Sequence, residues 1–139
     1  MRWLTWSKLD RHRDLGLLVL RVGMGLSFVA HGWPKLTGGM ERWTGLGGAM
    51  KSVGITFAPA FFGFAASLAE VLGGLMVALG LGTRPASAFL AFTMFIAFKM
   101  HLDGGDPFMK YSHSMEAMIV FVGLTLLGGG RYALDARLR

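Results

Sequence analysis

The stretch APAFFGFAASLAEVLGGLMVALGL, residues 58–81, decides the fold class. Its apolar residues do not alternate with polar ones as in a half-exposed strand. As a helix, the stretch is long enough to cross the roughly 30 Å hydrocarbon core of a bilayer. Pro59 fits the first turn of such a helix, where a missing amide hydrogen costs nothing. We therefore predict a membrane-spanning helix that carries one carboxylate, Glu70, near its middle.

Three further stretches have a similar length and character. Together with the first, they predict spans at about residues 15–33, 58–81, 83–102 and 112–128. None alternates with a period of two residues, which disfavours a membrane barrel. The basic N-terminus resembles a secretory signal, but the first span is too long, contains Arg21 and lacks a small-residue cleavage site. The sequence thus predicts an all-α, four-helix transmembrane bundle that forms one domain over residues 1–139.

Lysine and arginine are unevenly distributed between the two sides of the predicted bundle. Eight lie on the side of the termini and four on the other: Arg2, Lys8, Arg11, Arg13, Arg84, Arg131, Arg137 and Arg139 against Lys35, Arg42, Lys51 and Lys110. Because cytoplasmic loops carry the excess of positive charge, this bias places both termini in the cytoplasm. We expect a multi-pass protein of a bacterial-type cytoplasmic, or inner, membrane.

The composition excludes several other classes of protein. Hydrophobic residues make up 53% of the chain and charged residues 16%, which excludes a disordered or nucleic-acid-coating tail. The formal charge is +6, and the basic residues lie between long apolar runs, so the expected partner is a lipid surface and not a nucleic acid. The sequence has no cysteine, which rules out disulfides, thiolate metal sites and cysteine nucleophiles.

The first outer loop, residues 34–57, leaves two alternatives open. It is rich in glycine, which is typical of a flexible loop, yet residues 43–53 are mildly amphipathic. A short helix lying in the outer interface, with Lys51 toward the head groups, fits the same pattern.

Ionisable side chains within the spans are the main functional signal. Each charge near the centre of a span costs about 2.5 to 3.5 kcal/mol of insertion free energy, so we expect it to have an ion-pair partner or a functional role. We expect a buried pair between Arg21 and Glu70. The candidates for contact with a ligand are Arg21, His31, Glu70, Lys99, His101 and Glu116.

Nearer the outer surface, Lys99 or His101 can meet Glu116; we expect His101 to point inward and Lys99 to snorkel. Two readings of these charges stay open, since ion pairs can merely fix the register of a bundle or can mark a ligand site or proton relay. His31, His101 and His113 come from three elements at no recognisable metal-ligand spacing, so we predict no metal site. No redox cofactor is recognisably encoded.

Several motifs together resemble one family of small membrane proteins. They are Leu20, Arg21, Val22 and Gly23; His31, Gly32, Trp33, Pro34, Lys35 and Leu36; Glu70, Val71, Leu72, Gly73 and Gly74; Leu79, Gly80, Thr83 and Arg84; His101; Glu116; and Gly130, Arg131, Tyr132, Ala133, Leu134 and Asp135. Their order and spacing resemble the DoxX family over residues 15–135. The resemblance implies a four-helix inner-membrane protein related to small subunits of terminal quinol oxidase and of thiosulfate:quinone oxidoreductase.

Two functions follow from the resemblance and the charges. The first is a quinone- or quinol-associated accessory subunit, not catalytic alone, that works with a membrane redox complex or a soluble redox partner. In it, Arg21 and Glu70 form the central polar pair, His31 and His101 bond the quinone oxygens, and Glu70 or Glu116 exchanges the proton. The second is a non-catalytic lipid or small-molecule binder, or a scaffold or assembly protein. Small-residue stripes also permit a homo-oligomer.

Overall fold

The computed structural model describes residues 7–138, and all the regular structure over this range is helical. The long helices are α1 (Arg13–Leu36), α3 (Pro59–Leu79), α4 (Thr83–Asp103) and α5 (Phe108–Leu127). The short helix α2 (Gly39–Gly47) continues as a 3₁₀ segment (Gly48–Val53), and 3₁₀ turns flank the bundle at Ser7–His12 and Leu134–Ala136. The predicted all-α class is confirmed. Arg2 and Arg139, used in the charge count, lie outside the described residues.

Three of the helices are long and apolar enough to cross a membrane. Within residues 7–138 they are Leu9–Leu36, Pro59–Leu79 and Thr83–Asp103. Helix α5 is of similar length but is not among them, because Lys110, His113 and Glu116 make its first half polar. By length and composition, the protein therefore has at least three helices that could span a membrane.

Helices α1 and α3 pack closely because glycines line their contact. A β-carbon on Gly32 would lie 2.7 Å from Cβ of Glu70, and one on Gly25 would collide with the carbonyl of Gly74. The order of these contacts is reversed along the two chains, so the helices run antiparallel. Small residues that let helix backbones approach are a common way to pack helices in membranes. This contact fixes which residues of α1 and α3 share a depth.

The core is completed by α4 and α5, which pack against each other and against α1. Phe28 and Phe121 meet edge to face with ring centroids 4.7 Å apart. Phe121 is fully buried, as are Leu90 and Leu124 in the same core. This apolar centre leaves the polar side chains to the two ends of the bundle and to the side that faces α2.

Of the two alternatives for the first outer loop, the structure shows a helix, α2, in place of a flexible loop; its position in the membrane interface stays a prediction. A β-carbon on Gly47 would collide with the carbonyl of Pro59, and one on Gly63 with the carbonyl of Trp43. These two contacts lie four residues apart on each helix in reversed order. Helix α2 therefore runs lengthwise and antiparallel along the first half of α3, and the ring of Trp43 packs edge to face on Phe64.

The contact between α2 and α3 gives a direct test. Gly63→Ala places a methyl group against the Trp43 backbone, which cannot move as a side-chain tip can, so we expect a loss of roughly 1 to 3 kcal/mol of stability. Gly45→Ala is the matched control, since nothing lies within 4 Å of its added β-carbon. Denaturation in mild detergent measures both variants. Equal stability of the two would contradict the described packing.

Candidate functional site

A cavity of about 500 Å³ lies between α2, its 3₁₀ continuation, α3 and α4. Its wall is mainly apolar and aromatic, with contributions from Leu46, Met50, Phe61, Phe62, Phe92 and Met100. The polar side chains in the wall are Lys35, Ser67, Glu70, Thr93 and His101. Such a combination of apolar walls with a few polar groups is typical of sites for small organic molecules.

The polar centre of the cavity is an ion pair between Lys35 and Glu70. The Nζ atom of Lys35 donates to both carboxylate oxygens of Glu70 at 2.8 Å. The side chain of Glu70 is only 5% exposed and that of Lys35 is 28% exposed. A buried carboxylate needs such a partner, because an unpaired charge out of water is costly.

A change in helix type accompanies Glu70. Residues Ala69–Gly73 form a π-helical turn in the middle of α3, between α-helical stretches on either side. Single π-turns insert an extra residue into a helix, rotate the side chains that follow and occur frequently at functional sites. The irregular backbone lies at the carboxylate that faces the cavity.

The predicted pair between Arg21 and Glu70 is wrong, because the two residues lie at different levels along the packed helices α1 and α3. Gly32 lies against Glu70, and Arg21 precedes Gly32 by eleven residues, or about 16 Å along α1. Lys35, which the sequence analysis placed in the outer loop, belongs to α1 because that helix continues to Leu36. Residues Arg21, Gly25, Phe28, Gly32 and Lys35 share one helical stripe. This stripe was the signal by which the partner of Glu70 could have been found.

Arg21 has a different set of partners at the opposite end of the bundle. It is 1% exposed and donates to four carbonyl oxygens: Gly129 at 3.1 Å, Val77 at 3.3 Å, Ala78 at 2.6 Å and Tyr132 at 2.8 Å. These bonds join α1 to the end of α3 and to the segment after α5. The guanidinium is thus engaged by the backbone, away from the cavity.

A second polar link begins at His101 on the cavity wall. The Nδ1 atom of His101 lies 2.7 Å from Oδ2 of Asp106, and Lys110 donates to Oδ1 of the same carboxylate at 2.9 Å. Since an ionised carboxylate only accepts, Nδ1 carries the proton, and in the neutral ring Nε2 is an acceptor. The bond from His101, reinforced by Lys110, lowers the pKa of Asp106. The link therefore persists above the usual carboxyl range and is lost only as the pH falls through that lowered pKa.

The expected contact of Lys99 or His101 with Glu116 is also wrong. Lys99 instead pairs with Asp103 one turn along α4, with Nζ 2.7 Å from Oδ2, and His101 pairs with Asp106. The loop between α4 and α5 folds back so that Asp106 lies beside His101. The imidazole is therefore bonded to Asp106 and not to Glu116. Glu116 is exposed on α5. Asp106 was missed because no pattern in the sequence showed that the loop folds back.

His31 lies outside the cavity as well. It is exposed, its Nδ1 is 2.8 Å from the carbonyl of Ser27, and its ring centroid is 5.6 Å from that of His113. No group of three or more potential metal ligands occurs in the part of the chain that the structure describes. Of the six predicted ligand residues, the cavity brings together Glu70 and His101.

The Lys35–Glu70 pair predicts an asymmetric mutational response. Lys35→Met strands a buried carboxylate, so we expect a loss of roughly 3 kcal/mol of stability, whereas Glu70→Gln in the same chain restores part of it. Lys99→Met breaks an exposed pair and should cost about 0 to 1 kcal/mol. Denaturation in detergent of Lys35→Met, of Lys99→Met and of the double variant Lys35→Met with Glu70→Gln tests this. A Lys35→Met variant as stable as Lys99→Met would refute the pairing.

Comparison with known proteins places the chain in a family. The family model described as DoxX matches residues 16–102, which include Lys35, Glu70 and His101. The chain is 31% identical to "Inner membrane protein YqjF" of Escherichia coli (strain K12) over 125 residues, which cover 88% of this chain and 91% of that protein.

A second relative is more distant. The chain is 27% identical to "Putative oxidoreductase CatD" of Bacillus subtilis (strain 168) over 128 residues, which cover 91% of this chain and 90% of that protein. No solved structure matches the chain. The family match spans well over half of the sequence, and the protein belongs to the DoxX family of integral membrane proteins.

Proposed function

We propose that the protein binds a quinone or quinol in the cavity between α2, α3 and α4 and acts as an accessory subunit of a membrane redox complex. The supporting observation is the cavity itself: the partly buried Lys35–Glu70 pair and His101 lie among aromatic walls in a volume of about 500 Å³. The redox centre that exchanges electrons with the ring belongs, in this proposal, to a partner in the membrane or in solution.

The membrane arrangement is part of the same proposal. Helices α1, α3, α4 and α5 all cross the bilayer of the cytoplasmic membrane in one domain, and both termini lie in the cytoplasm. The charge bias of the sequence supports this orientation, and the name of the Escherichia coli relative supports the location. Packing of α5 against the rest of the bundle supports its crossing, because its buried face then meets α4.

The polar groups match the chemistry of a quinone head group. The ring is flat and carries oxygens on opposite sides, so aromatic walls can hold its faces while donors reach its edges. Lys35 can donate to a carbonyl oxygen, and a protonated His101 can do the same. Glu70 and the neutral Nε2 of His101 can accept a hydrogen bond from a quinol hydroxyl. The cavity thus offers partners for both redox forms of the ligand.

Proton exchange would use the two links already described. Glu70 is the candidate inside the cavity, and His101 connects the cavity through Asp106 to Lys110, whose side chain is 63% exposed. Asp106 would act as a positioning residue that fixes the imidazole tautomer. Glu116 is exposed and would exchange protons with solvent or a partner, whereas Arg21 would stabilise the opposite end of the bundle.

A lipid or small-molecule binder without a redox role, or a scaffold or assembly protein, is the alternative function. The mainly apolar wall favours the binder, because it would also accept an acyl chain. The two readings differ in what the purified protein retains.

Mass spectrometry of small molecules that co-purify in mild detergent tests the proposal. Ala97→Phe fills the cavity from α4, whereas Ala88→Phe makes the same change on an exposed position of that helix outside the cavity. We expect quinone enriched over bulk lipid in the wild type, reduced at least about tenfold in Ala97→Phe and retained in Ala88→Phe. Enrichment of another lipid in its place would favour the alternative, and no dependence on Ala97 would contradict a ligand in this cavity.

A further inference from the structure

A second cavity lies at the opposite end of the bundle and has a different character. Its volume is about 660 Å³, and it is bounded by the turn between α3 and α4, the end of α5 and the segment that follows. Two arginines line it, Arg84 and Arg131, together with residues 128–130, which are all glycine. The quinone proposal does not use this cavity.

Gly128 leaves room for Arg84 beside the cavity. Gly128 and Gly130 have φ angles of 79° and 72°, a left-handed conformation that other residues rarely adopt. A β-carbon on Gly128 would lie 3.1 Å from Nε of Arg84. The guanidinium of Arg84 therefore lies directly against the backbone of Gly128, which has no side chain.

The charge of the cavity is positive. The structure gives the guanidinium groups of Arg84 and Arg131 no carboxylate partner within residues 7–138, and Arg131 lies over the ring of Tyr132 with its Cζ 5.1 Å from the centroid. The carboxylate of Asp135 accepts from the amides of Gly82 at 2.7 Å and Thr83 at 2.9 Å, so it serves the start of α4. Two permanent cations thus line the cavity with Asp135, and the nearby carboxylate of Asp14 accepts from the backbone amide of Arg131 at 3.1 Å.

The depth of the cavity matches the head-group layer of a membrane. It lies where the apolar helices α3 and α4 end and begin, at Leu79 and Thr83, which is the level of lipid phosphates for spanning helices. Leu127 and Leu138 are 58% and 75% exposed on its rim. An apolar rim beside a cationic cavity suits an amphipathic anion better than a free ion.

We propose that this cavity binds the phosphate group of an acidic phospholipid, with Arg84 and Arg131 as its ligands and the leucines against the acyl chains. Arginine presents paired N–H donors that match phosphate oxygens. Basic pockets at helix ends are a known means of recognising anionic lipid head groups. The proposal is independent of what the first cavity binds.

Native mass spectrometry of the full chain in a non-ionic detergent tests the proposal. The probes are dioctanoyl-phosphatidylglycerol, dioctanoyl-phosphatidylcholine and inorganic phosphate. We expect the wild type to bind phosphatidylglycerol at least about tenfold more tightly than phosphatidylcholine, and Arg84→Gln combined with Arg131→Gln to abolish this preference. Arg137→Gln removes an exposed charge that does not line the cavity and should leave the preference intact.

Each other outcome counts against the proposal. Equal binding of the two lipids, or an equal loss in Arg137→Gln, would reduce the effect to general surface charge and overturn the site. Inorganic phosphate that displaces phosphatidylglycerol at equal concentration would overturn the lipid as its ligand in favour of a free phosphate. Both arginines are exposed, so we expect the double variant to have the melting temperature of the wild type in the absence of lipid. That result would show that the variant is folded.

Discussion

The ion pair between Lys35 and Glu70 is the constraint on which the rest of the structure depends. Glu70 lies near the middle of an apolar helix, where a carboxylate needs a cation at hydrogen-bond distance. Lys35 reaches Glu70 because α1 continues through Pro34 to Leu36 and because Gly32 has no β-carbon where α1 meets α3. Helix α2 then covers the pair from the side, and the cavity is the space left between them.

Two groups of ionisable residues differ in what they bind. At one end, Arg21 binds four backbone carbonyls and Asp135 binds the first amides of α4, so these residues close the end of the bundle. On the cavity side, Glu70 and His101 each have one charged partner and still face open space. The first arrangement satisfies the backbone, whereas the second leaves hydrogen-bonding capacity for a ligand.

The sequence was sufficient to predict the helices but not to predict which charged side chains pair with each other. Long apolar runs and Pro59 predicted α1, α3 and α4 to within a few residues, because hydrophobic burial and helix starts are local properties. The partner of Glu70 was not local: ending the first span at residue 33 moved Lys35 into a loop and left Arg21 as the apparent counter-ion. Likewise, the link from His101 to Asp106 depends on a reversal of the chain after Asp103. Tertiary approach decides such pairs, and hydropathy carries no information about it.

The claim that the cavity holds a quinone head group is tested most directly by photolabelling. The reconstituted protein would be irradiated with an azido-substituted quinone, digested and analysed by peptide mass spectrometry. The account predicts labels on cavity residues such as Phe62, Ala66 and Met100, which excess unmodified quinone suppresses. Labels confined to exposed positions outside the cavity, such as Phe95 and Val122, with no suppression by competitor, would contradict it.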